Sequence, residues 1–169
     1  MEFKNLKFET TINTAVIKLD KNFLSLFKDM DLQPNQNNKN NFFKKSFSDT
    51  IKTHKIYDYL KKPITNILKV DFKLDLWWVQ KYEKEDYHEL HTHGASNKLK
   101  SFVLYLNCTD KSSEIIFYQP GYPLIHDLKP IHVKPKKGLL ILFPSYIPHE
   151  VLKNKDNERL ILSGNIYHE

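Results

Sequence analysis

The sequence has a single cysteine, Cys108, among 169 residues, so no internal disulfide can form and the fold must rest on its own core. The lack of a disulfide framework fits a reducing compartment, and the cytosol is the expected location, the host's cytoplasm for a phage-encoded chain. Long apolar runs are missing as well. The longest lies near Gly138 to Phe143, far short of the roughly 18 uninterrupted apolar residues that a spanning helix requires, so no membrane partner is expected. The first thirty positions mix acids and bases and hold no apolar h-region or small-residue cleavage site, which argues against export. No internal repeat is visible. The only biased tract is the Asn-rich stretch Gln33 to Asn41, read as an exposed loop.

What is present is material for burial. Hydrophobic residues make up 40% of the chain and aromatic residues 13%, with Phe and Tyr the main aromatic types, so the chain as a whole does not look disordered. A chain of this length reads as one domain over 1–169, burying roughly two-thirds of its unfolded surface. The formal charge of +6 comes from scattered lysines, with local groups at Lys44-Lys45, Lys61-Lys62 and Lys134 to Lys137. Phosphate binding requires clustering on one face, so solvated surface lysine is the stronger reading and a nucleic-acid partner the weaker.

Residues 1–70 read as mainly helical. Asp20 is placed to cap a short helix with Phe23, Leu24, Leu26 and Phe27 on one face, after an extended piece around Ala15 to Leu19. Ser48 or Asp49 begins a second helical pattern through Ile51, Tyr57 and Leu60. It resumes with Ile64, Ile67 and Leu68, and a break or a new first turn is predicted at Pro63. From Asp71 the period changes to 2, placing Phe72, Leu74, Leu76, Trp78, Gln80 and Tyr82 on one strand face. Further strands are predicted at His88 to His93, Ser101 to Asn107, Glu114 to Tyr118, Lys129 to Lys134, Leu139 to Phe143, Ile147 to Leu152 and Arg159 to Tyr167. Eight short strands behind a helical lead imply a mainly β (α+β) fold. The form expected is a double-stranded β-helix, a jelly-roll or cupin-like barrel over 71–169, braced by the N-terminal helices.

The chemistry must choose among such barrels. His91 and His93 are two apart on a strand and point to one face, so they can offer two imidazole nitrogens to one metal. His88, at odd spacing from both, should face elsewhere unless the strand bulges. The third ligand candidate is His149, at the start of a later strand. Three ligands on one side of a metal leave open positions for substrate and oxygen. Arg159, Ile161, Ser163 and Asn165 share a strand face, which puts a guanidinium in a barrel interior. There it needs an internal acid or an acidic ligand, and a bound dicarboxylate meets that need by bidentate hydrogen bonding.

These residues resemble the Fe(II)/2-oxoglutarate-dependent dioxygenases, and within them the small oxygenases with a His-x-His motif found in bacteria and phages. The resemblance covers roughly Trp77 to Asn165 and rests on several pieces in order. They are Trp77 to Tyr82, His91-Thr92-His93, Ser101 to Leu106, Pro135 to Gly138, Leu142 to Ser145 with His149, and Arg159 through Asn165. The resemblance implies that His91, His93 and His149 bind Fe(II) and that Arg159 anchors the distal carboxylate of 2-oxoglutarate. Tyr105 is placed to hydrogen-bond the same carboxylate. The implied reaction consumes O2, decarboxylates 2-oxoglutarate to succinate and carbon dioxide, and hydroxylates a small molecule, peptide or protein.

Two positions depart from the family pattern. Most relatives carry Asp or Glu where this chain has His93, so Fe(II) lacks a compensating carboxylate until 2-oxoglutarate arrives, and with His93 filling the position no halide can take it. Ile161 stands where a hydroxyl residue often assists the cosubstrate, leaving Ser163 or Tyr105 to compensate. Gln80, Tyr82, Ser101 and Asn165 either line the mouth or support the site from behind, and Trp77 and Trp78 read as core. The loops between Gly94 and Lys100 and from Gln119 to Pro130 are expected at the mouth. Two other readings compete. A cupin-like three-histidine metalloenzyme that does not use 2-oxoglutarate explains the histidines but leaves Arg159 idle. A non-catalytic jelly-roll binding module makes both incidental.

Overall fold

The computed structural model describes residues 10–30, 32–34, 44–47, 50–119 and 129–168. Asp20 caps the first helix, α1 (Lys21–Ser25), its carboxylate accepting from the Phe23 N–H at 2.7 Å. Phe23 is buried by this helix and stacks on the Tyr59 ring of α2 (Thr50–Leu68). The two positions expected to begin that second helix, Ser48 and Asp49, lie outside the described residues. Neither the break nor the new first turn expected at Pro63 occurs, for α2 runs through it. Ile56, Leu60 and Ile64 are fully buried on one face at a spacing of four. Their packing against the sheet outweighs the one backbone hydrogen bond that proline removes. No helix among the described residues is long and apolar enough to cross a membrane.

The eight strands expected from Asp71 onward form as β4 (Phe72–Tyr82), β5 (His88–His91), β6 (Leu99–Asn107), β7 (Ile115–Phe117), β8 (Ile131–Val133), β9 (Leu139–Pro144), β10 (His149–Val151) and β11 (Arg159–His168). Three more strands precede them, so the N-terminal region is less helical than its pattern implies: β1 (Asn13–Val16), β2 (Gln33–Pro34) and β3 (Lys44–Phe47). The start of the tract expected as a loop is thus the strand β2, while its residues 35–41 lie outside the described ones. These strands cover edges: β3 pairs with β4, and β1 pairs with β9. The result is a seven-stranded sheet in the order β1-β9-β6-β11-β4-β3-β2 facing a four-stranded sheet in the order β5-β10-β7-β8, all pairs antiparallel.

The large sheet has a core on each face. Leu140 and Leu142 of β9 join Phe102, Leu104 and Leu162 beneath the helices, while Leu139, Ile141 and Phe143 point between the sheets with Val103 and Ile161. This explains why β9 is a continuous apolar run instead of an alternating one. Gly138, at φ 82°, brings the chain against β1 and accepts from the Ile17 N–H at 2.8 Å. A Cβ there would stand 2.3 Å from the Ile17 carbonyl oxygen.

A bulge in β4 changes the inward set. Leu76 pairs with Asn165 but Leu74 pairs with Ile166, so Asp75 is an extra residue and the side-chain parity reverses there. Phe72 and Leu74 pack under the helices with Trp77 and Val79. Trp78, Gln80 and Tyr82 face the space between the sheets. The single six-residue face read from the alternation is therefore two half-faces on opposite sides of the sheet, and Leu76 is exposed.

Candidate metal centre

His149 opens β10 directly opposite His91, the last residue of β5. His93 follows two residues on, beyond the strand, and its backbone N–H donates to the Ser145 carbonyl at 2.8 Å, which ties it to the turn before β10. The ring centroids lie 4.2 Å apart for His91 and His149 and 5.0 Å for the other two pairs. One nitrogen from each ring falls within 4.8 Å of the others, close enough for a single ion to draw them together.

Two of the rings are oriented from behind. His91 Nδ1 is 2.6 Å from the Glu89 carbonyl and His149 Nδ1 is 2.9 Å from the Ile147 carbonyl. A carbonyl only accepts, so each Nδ1 carries the proton and each Nε2 keeps its lone pair for a metal. Burial, and then the neighbouring His91 and His93, hold the His149 pKa well below the ordinary histidine value. The neutral imidazole that a metal requires is thus the resting form. The donor set fits Fe(II) and supplies no negative charge.

His88 does not face elsewhere. His149 pairs with His91 and Val151 with His88, so β5 carries one extra residue between them, and the bulge turns His88 inward. Its ring stacks on His91 at 3.7 Å and lines the same pocket as the three ligand candidates. This is the bulged case, the one exception that the spacing left open for His88.

At the other end of the pocket, Arg159 is fully buried and pairs across the strands with Tyr82. Its Nη1 donates to the Ser113 carbonyl at 2.7 Å and its Nη2 to the Tyr105 hydroxyl at 3.3 Å, while Nε has no partner. The guanidinium carbon lies 4.7 Å from the Tyr82 ring centre and 5.3 Å from that of Tyr105. Burial raises the pKa of both phenols, against the lowering effect of Arg159, so both are neutral hydrogen-bonding groups. Among the described residues no carboxylate lies within ion-pair distance of Arg159. A buried cation with two neutral partners and a free donor is costly, and an anionic ligand resolves it.

Ser163 and Gln80 also line this pocket. Gln80 Oε1 accepts from Trp78 Nε1 at 2.9 Å, and its Nε2 is buried without a partner. Ser101 and Asn165 do not line it. The Ser101 hydroxyl donates to Asn165 Oδ1 at 2.9 Å, so it accepts from Ser145 Oγ at 2.8 Å. Ser145 is the residue whose carbonyl holds His93, and this chain of three buried groups steadies the turn from behind. Of the four residues that stood between mouth and support, Gln80 and Tyr82 belong to the pocket and Ser101 and Asn165 to the support. Trp77 is core, its Nε1 donating to Thr53, but Trp78 borders the pocket 5.4 Å from the His93 ring.

The metal-ligand cluster and the buried guanidinium therefore occupy two ends of one pocket between the sheets. The model of the family described as "Putative 2OG-Fe(II) oxygenase", where 2OG is 2-oxoglutarate, matches residues 76–165. The chain belongs to this 2OG-Fe(II) oxygenase family. The match runs from the bulge in β4 through Asn165 and includes every residue of both clusters. Solved structures carry the same fold. An oxidoreductase of the 2OG-Fe(II) oxygenase family from Burkholderia pseudomallei superposes with a TM-score of 0.72 at 16% identity, over 94% of this chain and 85% of its own. A Pseudomonas putida prolyl-4-hydroxylase gives 0.67 at 20% identity, over 95% and 94%. The viral collagen prolyl hydroxylase of Paramecium Bursaria Chlorella virus-1 gives 0.55 at 19%, over 74% and 79%. No curated protein matches the sequence. The oxygenase uses Fe(II) and 2-oxoglutarate, and the double-stranded β-helix expected from the strand pattern is the fold it has.

Proposed function

We propose that the oxygenase holds Fe(II) through His91, His93 and His149 and grips the distal carboxylate of 2-oxoglutarate with Arg159 and Tyr105. In this reading it hydroxylates a substrate admitted at the mouth. The observation that carries it is the pairing of two incomplete groups in one pocket, a neutral three-nitrogen cluster and a buried guanidinium without an acid among the described residues. A histidine cluster alone would suit several transition metals, and a buried arginine alone would suit any anion. Together they are what a chelating dicarboxylate requires, one end at the metal and the other at the guanidinium. Bound Fe(II) with 2-oxoglutarate and O2 supplies the oxidation of a C–H bond, with release of succinate and carbon dioxide.

The residues of the chain do the positioning. The Glu89 and Ile147 carbonyls fix two imidazole tautomers, and the Ser113 carbonyl turns the guanidinium toward the pocket. Val103, Ile115 and Val151 along the wall keep it apolar, so water competes poorly for the fork of Arg159. Ser163 sits on the inward face of β11 four residues beyond Arg159, opposite Trp78 and one layer past the reach of a five-carbon diacid held by Arg159, so Tyr105 is proposed to supply the hydroxyl that Ile161 lacks. Neighbours of this fold bear names that point to prolyl and small natural-product substrates. A peptide or small molecule with an accessible C–H bond is the substrate class proposed for this chain.

Anaerobic titration with Fe(II) followed by 2-oxoglutarate tests the reading. A weak visible metal-to-ligand charge-transfer band is expected, and it should vanish in His149→Ala. If the wild-type protein binds Fe(II) but gives no band, the cupin-like alternative is favoured. If it binds no metal, the pocket is not catalytic.

A further inference from the structure

Gln80 is the second unfilled donor of this pocket. Its side chain is 3% exposed, and the Trp78 indole N–H donating to Oε1 decides which way the amide lies, because the flipped amide would set two donors against each other. Nε2 is thereby directed away from Trp78 and meets no acceptor. The residue opposite it on β11 is Ile161, which has none to offer.

The register of β4 and β11 stacks the pocket in layers: Tyr82 with Arg159, Gln80 with Ile161, and Trp78 with Ser163 beside His93. Successive layers are two residues, or about 6.7 Å, apart. A five-carbon diacid has four bonds between its carboxyl carbons, which span about 5 Å when extended. Anchored at Arg159, its second carboxylate therefore reaches the layer of Gln80 and stops short of Trp78.

We propose that Gln80 is a second anchor for the cosubstrate, its Nε2 donating to the carboxylate at the keto end of 2-oxoglutarate while Arg159 takes the distal one. This rests on the reading of Arg159 given above. Two donors one layer apart then act as a ruler for a five-carbon 2-oxo diacid, and the amide supplies hydrogen bonding at the metal-side end, where His93 has replaced the usual carboxylate. Gln80 also needs Trp78, whose indole keeps the donor end of the amide in the pocket.

The test uses the Fe(II)-loaded protein without oxygen, with affinities read by calorimetry. The probes are 2-oxoglutarate and 4-oxopentanoate, which has the same distal carboxylate and ketone but a methyl in place of the keto-side carboxylate. Gln80→Leu should weaken 2-oxoglutarate at least tenfold and change 4-oxopentanoate less than twofold, with iron affinity retained. Gln80→Glu preserves the acceptor for Trp78 and sets a negative charge where the donor was, so it should weaken 2-oxoglutarate at least as much even if the leucine variant folds poorly. Equal weakening of both probes, or wild-type affinity in both variants, overturns the proposal. Should Arg159→Met lose 2-oxoglutarate while the Gln80 variants do not, only the Gln80 assignment falls. A wild-type protein that binds no 2-oxoglutarate overturns both.

Discussion

Replacing Arg159 by methionine removes the cation while keeping an unbranched apolar stem in the cavity, so the change isolates the guanidinium. Two of its nitrogens are engaged by Ser113 and Tyr105 and its Nε is free, leaving a fork able to offer at least two charge-assisted bonds to a carboxylate. Each is worth roughly 1.5–3 kcal/mol, so their loss amounts to about 3–6 kcal/mol, and at about 1.4 kcal/mol per decade the dissociation constant for 2-oxoglutarate should rise by 100-fold or more. Iron affinity should not follow, because His91, His93 and His149 make their contacts at the other end of the pocket. Arg159→Lys should recover only part of the loss, since an ammonium keeps the charge but not the planar fork. The assay is anaerobic: Fe(II) affinity by competition with a chelator, then 2-oxoglutarate affinity from the visible band. A variant that binds 2-oxoglutarate as tightly as the wild type would refute the role given to Arg159. One that loses iron and 2-oxoglutarate together would refute the separation of the two ends.

Other consequences are open to measurement. His93→Asp restores a carboxylate and lowers the charge facing the incoming dianion by one, so Fe(II) should bind more tightly and 2-oxoglutarate at least tenfold more weakly, one charge interaction at an effective dielectric near 20 being worth about 4 kcal/mol at ~4 Å and about 1.4 kcal/mol at ~12 Å; paired titrations check both signs. Ser101→Ala strands Asn165 Oδ1 and Ser145 Oγ in a buried site and should cost about 1–3 kcal/mol in urea unfolding. Leu60→Ala, on the fully buried face of α2, should cost about 2–5 kcal/mol in the same assay. The metal-free protein should lose stability as pH falls below about 6.5, the ordinary histidine value. The unfolded chain takes up a proton there that folded His149, its pKa depressed by burial, does not. His149→Leu should flatten that part of the pH profile, and an unchanged slope would count against the depressed pKa.

Much of the site was legible because it is written in side chains that burial makes expensive. Three histidines and an arginine on strands that must face inward leave few alternatives, and His91, His93, His149 and Arg159 do converge on one pocket. What escaped the sequence depends on backbone events without a residue signature. The bulge at Asp75 reverses the parity of β4, so the alternation from Phe72 to Tyr82 is real but belongs to two faces. The bulge in β5 turns His88 toward His91, three positions away, a spacing that a regular strand forbids. The Ser113 carbonyl that orients Arg159 was invisible because every residue has one. Pro63 was read by local rule, and the packing of Ile56, Leu60 and Ile64 overrode it.

Those two bulges also explain how a regular sheet pair makes an irregular site. Without the bulge, that is with Asp75 in regular alternation, either Trp77 and Val79 would leave the helix-facing core or Phe72 and Leu74 would, because the two pairs stand an odd number of positions apart. With it, the first half of β4 stays bonded to the helical layer while the second half delivers Trp78, Gln80 and Tyr82 to the pocket. The strand thus gives one end to the helix-facing core and the other to the pocket. Because Asp75 is the extra residue, deleting it leaves Leu74 opposite Ile166 and Leu76 opposite Asn165 in one regular strand with both faces kept, so 2-oxoglutarate binding should survive. One residue inserted between Leu76 and Trp77 instead sets the pocket half out of step with β11, and loss of 2-oxoglutarate binding with iron binding retained is then the expected first failure: the histidines stand on β5, β10 and the loop after β5, outside the strand whose parity changes.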